Sequence, residues 1–147
     1  MYQRILVATD GSELSGKAVD SAIELAAKLH ATLVALYVVP HYPVSYFEGG
    51  IAVSPDEVSR TEKKWADDGQ RIVDAVKKAA EAKGVTAESI LARSDMVAES
   101  ILSAARKHKC ELIVMASHGR KGIQRVLLGS ETQQVLTHST IPVLVLR

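Results

Sequence analysis

The sequence predicts an α/β domain, an open five-stranded parallel sheet covered by helices on both faces. Two observations carry that expectation. Short β-rich apolar runs alternate along the chain with longer amphipathic segments, the order that builds a parallel sheet from strand–helix units. The runs RILVAT, LIVMA and PVLVL are also apolar almost without interruption, as strands buried on both faces are. No linker or compositional shift divides the 147 residues, so residues 1–147 read as a single domain.

Each element follows from its own local signal. Arg4–Thr9 is a short apolar run ending at a polar turn, a buried strand. Ser12–Leu29 places Ala18, Ala22, Leu25, Ala26 and Leu29 on one helical face. Thr32–Val39 is the second strand, followed by a loop rich in Pro, Gly and aromatic residues. Ser54, Pro55 and Glu57 then supply an N-cap, a proline at N1 and the acidic end of a capping box. The helix they start runs to about Lys83, with Val58, Trp65, Ile72, Val76 and Ala80 inward and Gly84 as terminator. Gly69 lies inside this helix and weakens it, an expected place for a bend. Thr86–Ala92 is the third strand, Asp95–His108 a helix, and Leu112–Ala116 the fourth strand. A Gly-bounded loop, a short helix from about Ser130 and the strand Pro142–Leu146 complete the chain.

Composition bounds the partners. Hydrophobic residues make up 47% of the chain and charged residues 24%, as in soluble globular proteins. A net charge of +1 gives no electrostatic case for nucleic acid or an anionic membrane as the main partner. A phosphate ligand must therefore be held locally. The single cysteine, Cys110, fits a reducing compartment and reads as a core residue, because no base stands beside it. The N-terminus enters an apolar strand without the basic and hydrophobic regions of a signal peptide, and no apolar stretch approaches membrane-spanning length. The expected location is the cytoplasm.

The stretch VATDGSELSGKAV imitates a P-loop, with Gly11, four residues, Gly16 and Lys17. A working P-loop continues with Ser or Thr to hold Mg²⁺, whereas position 18 is alanine. The helix also starts near Ser12, which puts Gly16 and Lys17 inside its first turns. This is a look-alike, and Lys17 is a solvated helix residue. No G-x-S-x-G, H-E-x-x-H or C-x-x-C is present, and the five histidines (30, 41, 108, 118 and 138) show no metal-ligand spacing. No catalytic or metal-binding residue is assigned.

In an open parallel sheet, ligands bind beyond the carboxyl ends of the strands, where the strand order reverses. If strands one and four are central neighbours, Thr9–Ser12 and Ala116–Arg120 line that crevice. The alternative is that these are merely the polar turns the fold needs. The second turn carries more information, since Gly119, nine residues, Gly129 and Ser130 lead into a helix N-terminus, with Arg120, Lys121 and Arg125 between them. Ser130 suits either an N-cap or a phosphate donor.

At these residues the chain resembles the universal stress protein family, whose ATP-binding members carry Gly-x2-Gly-x9-Gly-Ser/Thr after the fourth strand and an Asp after the first. The matching positions are Ala116, Gly119, Gly129 and Ser130, with Asp10 in TDGS. RILVATDGSELS, ELIVMASHGRKG and LLGSETQQVL extend the likeness over nearly the whole chain, while Ala116 departs from the first glycine. The resemblance implies a Rossmann-like, adenine-nucleotide α-hydrolase-like sheet with strand order 3-2-1-4-5. It implies ATP, ADP or AMP as ligand, with Mg²⁺ bound through the phosphates. Asp10 would face the ribose or the phosphate–metal end with Thr9 beside it, and Val38 backbone groups would read the adenine edge. Met115 and Ala116 would pack near sugar and base. His118, Gly119, Gly129, Ser130 and the Glu131 amide would hold the phosphates, with Arg120 in the basic loop. The resemblance further implies a homodimer through the C-terminal strand.

Three functions remain open at this point: a non-catalytic nucleotide-binding regulator, a low-turnover ATPase or autophosphorylating enzyme, and a nucleotide-free dimeric stress protein. Tyr42, Tyr46 and Phe47 form an aromatic loop that suits a nucleotide lid, a second interface, or packing near Trp65, and the sequence does not decide among them.

Overall fold

The computed structural model describes residues 1–43, 54–119 and 128–147. Tyr46, Phe47, Arg120, Lys121 and Arg125 lie outside the described residues. In chain order the elements are β1 (Arg4–Ala8), α1 (Glu13–Leu29), β2 (Thr32–Val39), α2 (Pro55–Ala82), β3 (Ala87–Arg93), α3 (Val97–Lys107), β4 (Leu112–Ala116), α4 (Ser130–His138) and β5 (Val143–Leu146). The strands form one parallel sheet in the order β3-β2-β1-β4-β5, as expected.

Side-chain alternation along the strands divides the core between the two faces. Ile5, Val7, Leu33, Ala35, Leu112 and Val114 pack with α1 and α2. Leu6, Val34, Leu36, Ile113 and Met115 pack with α3 and α4. Burial of each Val, Leu or Ile contributes about 1.5–3 kcal/mol. An exposed helix pair such as Lys63–Asp67 contributes about 0.3–0.5 kcal/mol, so burial decides the fold.

The helix ends follow their local chemistry. Ser12 is the N-cap of α1, and its side chain accepts from Ser15 N. Ser54 caps α2 through Glu57 N at 3.2 Å, with Pro55 in the first turn. The C-terminus of α2 is a Schellman turn: Gly84, at φ 75°, donates to Glu81 O and Val85 donates to Ala80 O.

Several boundaries and one face differ from expectation. α2 remains a continuous α-helix through Gly69, which is buried. A β-carbon there would stand 2.6 Å from Tyr37 Cδ1 and 2.8 Å from Leu91 Cδ1, so glycine permits close approach of the helix to β2 and β3. The inward face consequently runs through Gly69, Val73, Val76 and Ala80, while Val58, Trp65 and Ile72 are only half-buried. α3 starts at Val97, two residues after Asp95, because the Asp95 carboxylate accepts from His41 N at 2.8 Å and lies 3.2 Å from His41 Nδ1. β1 ends one residue early, at Ala8, and β3 is shifted by one residue. β5 starts at Val143, because Pro142 has no N–H to donate to the ladder, although its carbonyl accepts from Ile113 N.

Candidate functional site

β1 and β4 are the central neighbours, and their chains leave in opposite directions. After β1 the chain turns to α1 on one face of the sheet, whereas α4, which follows β4, packs with the other face. This is a topological switch point, and a crevice opens there by construction.

The wall after β1 is a self-bonded turn. Thr9 N donates to Leu36 O at 3.0 Å, continuing the ladder, and Thr9 is buried. Its Oγ1 accepts from Gly11 N at 3.2 Å and lies 3.0 Å from Ser15 Oγ. Ser15 Oγ already donates to Ser12 O at 2.9 Å, so Thr9 is the donor of the Thr9–Ser15 pair. The Thr9 hydroxyl is thus committed within the turn. Gly11, at φ 78°, supplies the left-handed backbone that the turn requires. Asp10 Oδ1 accepts from Ser12 N at 2.9 Å, and Asp10 Oδ2 is directed at Gly119.

The wall after β4 is tied on three sides. Ala116 O accepts from Thr132 Oγ1 at 3.0 Å, Ser117 N donates to Leu146 O at 2.7 Å, and Ser117 O accepts from Gly129 N at 2.7 Å. Met115 and Ala116 are both buried but alternate: Met115 packs with α3 and α4, Ala116 with α1. A β-carbon at Gly129 would lie 3.3 Å from His118 Cα, so this glycine lets α4 start against the turn. Gly119 is close enough to Asp10 that a β-carbon would collide with Oδ2.

Gly129 is the N-cap of α4 and Ser130 the first helical residue, so Ser130 is not the cap. Among the described residues no side chain caps this helix, and its leading N–H groups are those of Ser130 and Glu131. Ser130 Oγ donates to Glu131 Oε2 at 3.0 Å. On the opposite flank β2 outruns β1: Ala8 pairs with Leu36, and Val38 stands two residues beyond as a half-buried apolar wall.

Asp10, Val38, Ala116, His118, Gly119, Gly129, Ser130 and Glu131 are therefore gathered at one end of the sheet, and Arg120 lies outside the described residues. Sequence reasoning missed Ser15, Ser117 and Thr132, the buried polar groups that shape both walls. Their signal is a hydroxyl placed in an apolar pattern. Ser15 precedes Ala18 and Ala22 on the buried face of α1, Thr132 precedes Val135 by three residues, and Ser117 directly follows LIVMA.

Away from the crevice, a hollow of about 270 Å³ lies between Leu102, Arg106, Cys110, His138 and Ile141. Burial pushes the Cys110 thiol up to about 11, which leaves it protonated and unreactive at neutral pH. An open groove of about 650 Å³ follows α2 past Trp65 and Tyr37, and Tyr42 stacks on Trp65 with ring centroids 6.0 Å apart. Among the described residues no three His, Cys, Asp or Glu side chains group as a metal site, and no helix is long and apolar enough to cross a membrane.

A model of the universal stress protein family matches residues 1–147. The chain is 38% identical over 152 residues to universal stress protein YxiE of Bacillus subtilis, covering 100% of both. Among solved structures, a universal stress protein family member from Burkholderia pseudomallei is 32% identical with TM-score 0.77, covering 99% of this chain and 96% of that one. A universal stress protein solved in complex with cAMP is 26% identical with TM-score 0.71, covering 99% of this chain and 97% of that one.

Proposed function

Because the chain belongs to the universal stress protein family over its whole length, we propose that it is an adenine-nucleotide-binding stress-response regulator without catalytic machinery of its own. The observation that carries this reading is the meeting of Asp10 and Gly119 at the switch point, beside the N-terminus of α4, which no side chain among the described residues caps. A nucleotide there has an apolar wall at Val38 for its base and the backbone N–H groups of Ser130 and Glu131 for its phosphates, with Gly129 holding the turn through Ser117 O. The cAMP complex of a relative supports adenine as the base. We take the ligand to be ATP, ADP or AMP, with Mg²⁺ bound through the phosphates and Asp10 at the ribose or metal end.

Ala116 favours this reading over a nucleotide-free protein. The residue is 7% exposed and packs in the core with α1, so its methyl adds little bulk to the crevice. We further propose a cytoplasmic homodimer paired through β5, an edge strand of which Leu144 is exposed.

The test is to denature the purified protein and identify released nucleotide, with Gly119→Val/Gly129→Val as control. One adenine nucleotide per subunit, lost in the double variant, is the expected result. Wild-type protein that is empty and also ignores added Mg·ATP would overturn the proposal.

A further inference from the structure

The turn after β4 also sets a buried serine hydroxyl against one ring nitrogen of His118. Resting on the nucleotide reading and deepening it, we infer that Ser117 holds the neutral His118 ring as its Nε2–H tautomer, leaving Nε2–H to donate to the nucleotide's phosphates. Ser117 is 5% exposed, and its side-chain oxygen lies 3.2 Å from His118 Nδ1. Its backbone N–H and carbonyl are already occupied by Leu146 O and Gly129 N, each at 2.7 Å. Among the described residues, His118 Nδ1 is the hydroxyl's hydrogen-bond partner, and no buried side-chain oxygen or nitrogen lacks one.

A neutral imidazole has one donor and one acceptor nitrogen. If Nδ1 carried the hydrogen, it would donate to Ser117 Oγ, and the hydroxyl hydrogen would have no acceptor among the described residues. Buried polar groups avoid that arrangement. The hydroxyl therefore donates to Nδ1, and the ring hydrogen sits on Nε2. The ring's backbone is held equally closely, since Gly129 packs against His118 Cα and Cβ, and Gly119 abuts Asp10. Ser117 is thus a positioning residue for a ring N–H donor. The contact should favour nucleotides over adenosine.

Nitrogen-15 shifts of the imidazole in nucleotide-free protein, recorded well above the ordinary imidazole titration range, read the tautomer directly. The expected wild-type spectrum shows Nε2–H alone; Ser117→Ala relaxes it to a mixture and Ser117→Thr preserves it. Calorimetry with ATP then reads the donor. His118→Gln presents an amide N–H near the Nε2 position and should bind ATP within about threefold of wild type. His118→Asn presents it near Nδ1 and should lose about tenfold or more, as expected for a lost hydrogen bond to a charged group. An Nδ1–H tautomer in the wild type, or Asn binding as well as Gln, overturns the inference. Wild-type protein with the Nε2–H tautomer but no ATP binding overturns the donor role together with the nucleotide reading, while the tautomer assignment stands on its own spectrum.

Discussion

The carboxylate of Asp10 fills the space that a β-carbon on residue 119 would need, so the two central strands hand over to their loops in direct contact. Asp10 cannot simply rotate away, because its other oxygen accepts from Ser12 N at 2.9 Å. Gly119→Ala should therefore leave the fold cooperative while displacing Asp10. Overpacking should cost about 1–3 kcal/mol of stability, and the displaced Asp10 should weaken ATP binding by roughly tenfold, about 1.4 kcal/mol. Calorimetric titration alongside a thermal melt separates the two effects, and unchanged affinity would count against Asp10 at the site.

Gly69→Ala opposes two effects. Alanine raises helix propensity by about 1 kcal/mol, but its methyl meets the ring of Tyr37 and the side chain of Leu91. Overpacking in a well-packed core costs about 1–3 kcal/mol, so the net expectation is a lower urea midpoint. A stabilised variant would show that α2 moves outward without penalty.

Thr132→Val keeps the volume of the side chain and deletes its hydroxyl. Ala116 O then loses its partner at 3.0 Å, and the expected loss is about 1–3 kcal/mol of unfolding free energy for the unsatisfied carbonyl. Urea unfolding checks it, with Thr132→Ser as the variant that should recover most of the difference.

The backbone N–H of His41 is the main influence holding the Asp95 carboxyl below its ordinary value of 3.8; desolvation opposes it, and the His41 ring adds a smaller lowering. A depressed pKa stabilises the fold above the ordinary value, and the contribution disappears as pH falls through the lowered one. Melting temperatures of wild type and Asp95→Asn should accordingly differ at neutral pH and converge below pH 3.8. The side chain is largely exposed, so the gap should be small. A gap that widens with acid would contradict the sign.

Cys110 is expected to resist iodoacetamide at pH 8 until denaturant is added, because burial raises its thiol to about 11. The same shift stabilises the fold below the ordinary thiol value of 9.0 and is lost as pH climbs through the raised one. Rapid labelling of the native protein, followed by mass spectrometry, would show that the thiol opens to solvent.

Where neighbouring residues carry the physics, the sequence was legible. β2 and β4 stand on the residues expected, since an apolar run bounded by polar turns has few other registers. Ser54–Pro55–Glu57 starts its helix as a cap should. Legibility failed where a distant partner intervenes. Asp95 reads as a helix start, yet its carboxylate goes to a histidine 54 residues away. Gly69 reads as a weak point, yet it admits two side chains from other strands. At the crevice, the motif located the glycines and Asp10, while the hydroxyls of Ser15, Ser117 and Thr132 show their purpose only once both turns are folded.

Leu146 O, at the outer border of the sheet, accepts from Ser117 N, immediately before His118 and Gly119. Handling of the C-terminal segment is therefore handling of the crevice. A fusion tag, a truncation or a neighbouring chain that pulls β5 out of register would loosen the Ser117 amide and reach the turn after β4 through one hydrogen bond. Assays on tagged and untagged protein should be treated as assays on two different sites until shown to agree.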